Sequence, residues 1–77
     1  MKYIFDVDER NNKFSIRFKE LREERKLTQY ELSKKVNLSA ACINRWEKSL
    51  RVPNIDSIII LCRFFGCTSD YLIGLEN

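Results

Sequence analysis

Hydrophobic residues recur at helical spacing from Phe14 onward. Phe14, Phe18 and Leu21 are separated by four and three positions, and charged residues fill most of the positions between them. This spacing places one apolar stripe along a helix, with polar residues around the rest of its surface. It predicts a first helix at about residues 15 to 25, with Leu27 continuing the apolar stripe beyond it.

A second helix is predicted from a capping box in the stretch LTQYELSKKVN. The Thr28 hydroxyl can accept a hydrogen bond from the Glu31 N–H, and the Glu31 carboxylate can accept one from the Thr28 N–H. The helix is expected to end at Asn37, because asparagine tolerates the left-handed backbone that closes helices. Only Leu38 then separates it from Ser39, the next favourable N-cap. Two short helices with so brief a connection must cross steeply, which is helix-turn-helix geometry.

The C-terminal third of the chain is predicted to hold a longer helix and a short one. The longer helix follows Asn54, a favourable N-cap, and ends at Gly66. Its apolar stripe is expected to comprise Ile55, Ile58, Ile59, Cys62 and Phe65. Since Ile60, Leu61 and Phe64 make this helix apolar nearly all round, it should be central in the fold or share one face with a partner. Thr68 is expected to cap a last short helix that ends at Gly74.

The N-terminal segment follows a different pattern. Tyr3, Phe5 and Val7 alternate with polar residues, which favours a short strand, and the ERNN stretch that follows is then predicted to be a turn. Such a strand could pair with its counterpart in a second subunit; alternatively, the segment is an extension packed lightly on the domain. We therefore divide the chain into an N-terminal extension at 1–13 and a domain at 14–77.

Composition and length point to one all-α domain. A chain of 77 residues has too little apolar area for two separate cores. Its 44% hydrophobic content, with only two glycines and one proline, suits compact helices better than a β-rich or disordered chain.

Positive charge is concentrated in the middle of the chain. Residues 15–51 carry ten Lys or Arg against five Asp or Glu, a net charge of +5, whereas residues 52–77 carry one against three, a net charge of −2. The asymmetry suggests a polyanionic partner at the middle segment, although such an excess is by itself a weak signal.

Residues that commonly carry chemistry are few. The chain has no histidine, and Cys42, Cys62 and Cys67 form no CxxC pair. We therefore expect buried thiols in a reducing compartment, and neither a metal site nor a cofactor. An enzyme is not expected, because there is no Gly-rich phosphate loop and no cluster of carboxylates around a nucleophile. The N-terminus has no signal-peptide pattern, and the longest apolar run, IIILC, is too short to span a membrane, so a cytoplasmic protein without membrane contact is expected.

The stretch from about residue 14 to residue 75 resembles the helix-turn-helix domain of the phage-repressor and Cro-like (XRE) transcription regulators. The resemblance is carried by LTQYEL, by INRWEK with Pro53 shortly after it, and by FGCTSDYLIG, in that order and spacing. It implies a five-helix, lambda-repressor-like domain that binds double-stranded DNA, usually as a homodimer on a near-palindromic operator. Two glycines usual in that family are replaced here, by Asn37 in the turn and by Ser49 after the recognition helix.

The recognition helix of such a domain corresponds to about residues 40–48. At about 100° per residue, Cys42, Ile43 and Trp46 point toward the core. The opposite, groove-facing side carries Ala40, Ala41, Asn44, Arg45 and Lys48. Asn44 can pair with adenine and Arg45 with guanine through two hydrogen bonds each. The two alanines can contact thymine methyl groups, so these two and the two polar residues are the predicted base contacts.

Candidate phosphate contacts flank that helix. Gln29 matches the family's phosphate-binding glutamine, and its N–H lies at the positive end of a helix. The other candidates are Ser39, Lys48, Ser49 and Arg51. For Lys34 and Lys35 a phosphate contact and a solubilising role are equally open. The family also implies that Arg22 and Glu47 form an ion pair between the first helix and the end of the recognition helix.

The resulting prediction is a sequence-specific DNA-binding transcription regulator, a repressor that acts by occupying its site. The alternative is a protein-interaction module, antitoxin-like or adaptor, that uses the same fold. Since one recognition helix reads only a few base pairs, a homodimer is expected. Its candidate contacts are the N-terminal strand and Ile60, Phe64, Tyr71, Leu72 and Leu75. No residue pattern specifies a small-molecule effector.

Overall fold

The structure, a computed structural model, describes the backbone of residues 7–76 and the side chains of residues 13–76. Over these residues the chain forms five helices and no strand. They are α1 (Val7–Glu24), α2 (Gln29–Val36), α3 (Ala40–Glu47), α4 (Ile55–Phe65) and α5 (Ser69–Ile73). The expected all-α, five-helix fold is confirmed. None of these helices is long and apolar enough to cross a membrane.

α1 begins earlier than the sequence pattern predicted. It runs without a break from Val7 to Glu24, so the ERNN stretch is helical and the turn predicted there is wrong. The stretch contains no glycine or proline that would end a helix, and each residue added to an existing helix gains a backbone hydrogen bond. The helix thus continues across the predicted boundary after residue 13. Of the predicted strand, Val7 is helical, and Tyr3 and Phe5 lie outside the described residues.

Local capping interactions fix the helix ends, as predicted. The Glu31 N–H donates to the Thr28 hydroxyl oxygen (3.0 Å), and the Thr28 N–H donates to the Glu31 carboxylate (2.8 Å). Hydrogen bonding to the carboxylate by the Thr28 N–H, and secondarily by the Thr28 hydroxyl, lowers the pKa of the Glu31 carboxyl. Asn37 closes α2 with a left-handed φ of 56°. At the start of α4, the Asn54 side chain accepts from the Ser57 N–H (2.8 Å).

Phe18 lies at the centre of the hydrophobic core. It is fully buried, and its ring centroid lies 5.5 Å from that of Phe14, 5.9 Å from that of Trp46 and 6.2 Å from that of Phe65. These aromatic pairs join α1 to α3 and α4 and contribute stability beyond the burial of apolar area. The rest of the core consists of Leu32, Val36, Ile43, Ile58, Leu61 and Leu72. One side of α3 is thereby fixed against the core, which leaves its other side for contact with a partner.

The side of α4 that faces the core matches the predicted stripe only in part. Ile55 and Ile59, expected in the core, are 73% and 44% exposed. Ile58 and Phe65 are buried as predicted, and Leu61, which was not part of the predicted stripe, is buried with them. Because this helix carries apolar side chains on nearly all of its sides, its periodicity does not determine which side packs inward. Packing against the neighbouring helices determines it.

One predicted dimer contact is excluded by the fold. Leu72 is fully buried within the core of a single chain, so it offers no surface to a second subunit. Leu75 and Ile60 are 64% and 37% exposed, and Phe64 and Tyr71 are half-buried.

Candidate nucleic-acid interface

The connection between α2 and α3 is closed by local hydrogen bonds. Asn37 ends α2 in the left-handed conformation, and Ser39 begins α3. The Ser39 hydroxyl oxygen accepts from the N–H groups of Ala41 (3.1 Å) and Cys42 (3.3 Å). These bonds satisfy two of the N–H groups that the first turn of a helix leaves without a partner. The start of α3 is therefore held in place without help from a partner.

The predicted groove-facing residues lie on the side of α3 that points away from the core. Ala41, Arg45 and Lys48 are exposed, and Ala40 and Asn44 are half-buried. On the opposite side, Ile43 and Trp46 are buried and Cys42 is half-buried. The division of α3 into a core side and an open side agrees with the predicted periodicity.

The residues after α3 differ in what they can offer to a phosphate. Lys48 and Arg51 are exposed cations. Ser49, by contrast, donates its hydroxyl to Ser15 Oγ (2.9 Å) and its N–H to the Trp46 carbonyl (3.2 Å). Ser15 is itself buried and donates to the same Trp46 carbonyl. Both donors of Ser49 thus act within the domain, where they tie the end of α3 to α1, and a phosphate contact would have to compete with them.

Arg22 and Glu47 form an ion pair between α1 and the end of α3. Arg22 Nε lies 2.6 Å from Glu47 Oε2, and Arg22 Nη2 lies 3.0 Å from Glu47 Oε1. The side chains are 12% and 5% exposed, and Arg22 Nη1 also donates to the Leu27 carbonyl (2.7 Å). The hydrogen bond to Glu47 raises the pKa of Arg22, and burial opposes it. Two parallel bonds to a nearly buried carboxylate hold α3 at a fixed orientation on α1.

Gln29 extends this ion pair to the open side of α3. Its amide Nε2 donates to Glu47 Oε1 (3.1 Å), and its Oε1 accepts from Asn44 Nδ2 (3.1 Å). We call the four side chains Arg22, Glu47, Gln29 and Asn44 the polar relay. The Gln29 side chain, predicted to bind phosphate, therefore lies between α2 and α3. Its backbone N–H, at the first position of α2, has no acceptor within the helix and is the group suited to a phosphate.

The sequence named all four residues of the polar relay and paired Arg22 with Glu47, but it did not connect Gln29 and Asn44 to that pair or to each other. Asn44 and Glu47 are three positions apart on α3, so they share one side of that helix, and this signal was available in the sequence. That the first residue of α2 meets that side depends on how the two helices pack. The buried Ser15 was missed altogether, since a single serine beside Phe14 gives no signal of a partner 31 residues away.

A shallow pocket of about 410 Å³ adjoins the start of α3. Tyr30 and Lys34 of α2 line one part of it, and Ser39 and Ala40 line another. The Lys34 amine lies 5.0 Å from the centroid of the exposed Tyr30 ring. Lys34 is therefore on the same surface as the predicted contact residues, at a position where its charge is available to a polyanion.

The segment after α3 exposes a group of large apolar side chains. Leu50, Val52, Ile55 and Ile59 are between 44% and 73% exposed. Ile55 and Ile59 are four residues apart on α4, so they share one side of that helix. We call these four residues the apolar patch. Several large apolar side chains that are exposed within one short segment are candidates for a protein interaction site.

The three cysteines are half-buried rather than buried, and each packs against the core. Burial, and secondarily the neighbouring Cys67 thiol, raises the pKa of Cys62 to about 11. A thiol held in its neutral form is a poor nucleophile and a poor metal ligand. Among the side chains of residues 13–76, no group of three or more His, Cys, Asp or Glu is placed to hold a metal ion.

Comparison with known proteins adds evidence independent of this geometry. Residues 18–72 match the family model described as helix-turn-helix. The chain is 30% identical over 61 residues to the uncharacterized HTH-type transcriptional regulator YobD of Bacillus subtilis. The aligned residues cover 79% of this chain and 54% of that protein.

Two further relatives have names that state a regulatory role. The HTH-type transcriptional activator BcrR of Enterococcus faecalis is 31% identical over 64 residues, 83% of this chain and 31% of that protein. The repressor protein C2 of Salmonella phage P22 is 33% identical over 57 residues, 74% of this chain and 26% of that protein. The chain thus spans about half the length, or less, of these relatives.

Proposed function

Because the chain belongs to the helix-turn-helix family of phage-repressor and Cro-like regulators, we propose that it binds specific double-stranded DNA sequences and represses transcription by occupying them. One observation carries the proposal: the open side of α3 presents Asn44 and Arg45 and is followed by the exposed cations Lys48 and Arg51. A module that bound only protein would not need hydrogen-bond donors and positive charge at this place. The protein is then a binding protein that acts in the cytoplasm, where its DNA is.

Base recognition is assigned to the open side of α3, lying in the major groove. Arg45 donates two hydrogen bonds to guanine O6 and N7, and Asn44 pairs with adenine N6 and N7. Ala40 and Ala41, nearer the start of the helix, let the backbone approach the bases and contact thymine methyl groups. Specificity should therefore be sharp at the base pairs under Asn44 and Arg45 and weak under the two alanines.

Phosphate contacts set the position of the domain on the duplex. Lys48 and Arg51 supply charge at the end of α3, and the Gln29 N–H and the Ser39 side chain supply donors on the other flank. These contacts carry no base preference, so losing one of them should weaken binding to all sequences equally.

A homodimer formed through the apolar patch completes the proposed DNA-binding unit. A single α3 reads too few base pairs for useful specificity, and a two-fold contact close to the end of α3 would carry two recognition helices on one face of the DNA. The patch fits this role because Leu50 and Val52 follow α3 directly and Ile55 is 73% exposed. Ile55→Glu should yield a monomer in sedimentation and should weaken binding to a two-half-site duplex but not to a single half-site. A monomeric wild-type protein on its full operator would contradict the dimer.

The function is tested by equilibrium binding to duplexes recovered from a random pool, measured as a function of salt. The wild-type affinity should fall steeply as salt rises, because phosphate contacts release counterions. Arg45→Ala should lose about 1–3 kcal/mol of discrimination at one base pair. Arg51→Ala, the matched control, removes the same charge but should weaken all duplexes alike and lower the salt slope by about 1. If no duplex binds at low salt, a protein-interaction module replaces this proposal.

A further inference from the structure

The polar relay contains two side-chain amides whose orientation is chemically meaningful. An amide presents an acceptor oxygen on one side and a donor NH₂ on the other, so rotation by 180° exchanges what it offers. A carboxylate, by contrast, only accepts, and a guanidinium only donates. In a series of hydrogen-bonded amides that begins at a carboxylate, the direction of every hydrogen bond is therefore fixed.

Glu47 sets that direction for Gln29. Two donors of Arg22 hold its carboxylate, at 2.6 and 3.0 Å, so it has one orientation in the fold. Glu47 Oε1 can receive only a donor from Gln29, and it receives Nε2 at 3.1 Å. The Gln29 oxygen is consequently turned toward α3.

Gln29 in turn orients Asn44. Its Oε1 accepts one hydrogen of Asn44 Nδ2 at 3.1 Å. Asn44 keeps its second Nδ2 hydrogen and its Oδ1, which together are the donor and acceptor that adenine N7 and N6 require. With Gln29 reversed, Asn44 would have to turn its oxygen toward Gln29. It would then offer only NH₂ hydrogens outward, which suit the two acceptors of guanine, O6 and N7.

We propose that Gln29 is a positioning residue which transmits the acceptor-only character of Glu47 to Asn44 and thereby selects adenine over guanine at the base pair under Asn44. This rests on the proposed function, because it assumes that α3 reads DNA. It assigns the Arg22–Glu47 ion pair a role in specificity in addition to its role in holding α1 and α3 together. Neither Gln29 nor Glu47 needs to touch that base.

The test compares affinities for four duplexes that differ only at one base pair, the one whose preference disappears in Asn44→Ala. Wild-type protein should prefer adenine there by roughly 5- to 150-fold, the range for one two-bond contact. Gln29→Met, which has no amide, frees Asn44 to rotate, so the preference should fall by about fivefold or more. Glu47→Gln, which can present NH₂ to Gln29, should shift it toward guanine. Arg51→Ala is the control and should lower all four affinities by one common factor.

A double variant separates positioning from general damage. In the Asn44→Ala background, Gln29→Met should have no further effect on base preference, since nothing remains to be positioned. In the free protein, the Asn44 side-chain amide NMR signals should move in Gln29→Met and stay in place in Arg51→Ala. If Glu47→Gln fails to fold, the NMR comparison of Gln29→Met with Arg51→Ala still tests whether Gln29 positions Asn44.

The outcomes distinguish this inference from the proposed function. If the wild-type protein shows no salt-dependent duplex binding, both fail. If it binds and prefers particular bases, but folded Gln29→Met keeps the full wild-type preference under Asn44, the inference alone is overturned. It is likewise overturned if Asn44→Ala alters no base preference while Arg45→Ala does.

Discussion

Glu47→Ala is expected to be among the most destabilising substitutions outside the hydrophobic core. The Glu47 carboxylate is 5% exposed and accepts three hydrogen bonds, two from Arg22 and one from Gln29. Its removal leaves the Arg22 guanidinium, 12% exposed, without a counter-charge and with one remaining bond to the Leu27 carbonyl. Breaking such a pair from one side costs about 3–5 kcal/mol. Domains of this size have a total free energy of unfolding of only about 4–12 kcal/mol.

Replacing both partners should cost less than the two single changes together. In Arg22→Met with Glu47→Ala, no unpaired charge is left near the core, so the double variant should be more stable than the sum of the single losses predicts, by about 1–3 kcal/mol.

The assay is urea unfolding followed by far-UV circular dichroism, for the wild type, both single variants and the double variant. Glu20→Ala, which removes an exposed carboxylate from α1, is the control and should change the free energy of unfolding by less than about 0.5 kcal/mol. Additive single effects, within about 0.5 kcal/mol, would refute the reasoning, because independent sites add and a shared buried pair does not.

Three further predictions concern backbone strain and thiol chemistry. Gly66 and Gly74 both have positive φ, but only at Gly74 would an added Cβ lie 2.7 Å from a side-chain carbon of α1. In thermal unfolding, Gly74→Ala should therefore lower the free energy of unfolding by about 1–3 kcal/mol more than Gly66→Ala does. Equal losses of stability in the two variants would contradict this. Ser49 has a left-handed φ of 60° and donates a hydrogen bond to Ser15. Ser49→Gly should be nearly neutral, whereas Ser49→Ala should lower the free energy of unfolding by about 1 kcal/mol, because it loses the hydrogen bond and keeps the strain. If urea unfolding shows the glycine variant to be the less stable of the two, this reasoning is wrong. The pKa of Cys62 is raised to about 11, so little of its thiol is ionised at about pH 8. Alkylation of Cys62 at about pH 8, measured by mass spectrometry of its peptide, should therefore be roughly 100-fold slower in the folded chain than in the urea-unfolded chain. Similar rates in the two states would disprove the shift.

The features predicted well from the sequence are those set by residues close together in the chain. The capping box of Thr28 and Glu31, the left-handed Asn37 and the N-cap Asn54 each depend on a few neighbouring residues, so their chemistry is visible in the sequence. The same holds for the two sides of α3, because helical periodicity alone predicts that Ile43 is buried and that Arg45 is exposed.

The features predicted poorly depend on packing between distant segments. The start of α1 was placed too late because a polar stretch without stop signals continues a helix as readily as it forms a turn. The inward stripe of α4 was wrong at Ile55 and Ile59, since a helix that is apolar on most sides can pack in more than one rotation. The polar relay joins residues 15 to 25 positions apart, and the direction of the Gln29 amide follows from a carboxylate on another helix.

The central claim, that the open side of α3 reads DNA bases, is tested most directly by selecting bound duplexes from a fully random pool with wild-type protein and with Arg45→Ala. The account predicts that wild-type protein enriches a two-fold symmetric site whose half-sites are about 10 base pairs apart, centre to centre. In Arg45→Ala the guanine preference at one position of each half-site should disappear while the rest of the motif remains. A pool that stays random with wild-type protein, or a motif that Arg45→Ala leaves unchanged, would contradict it.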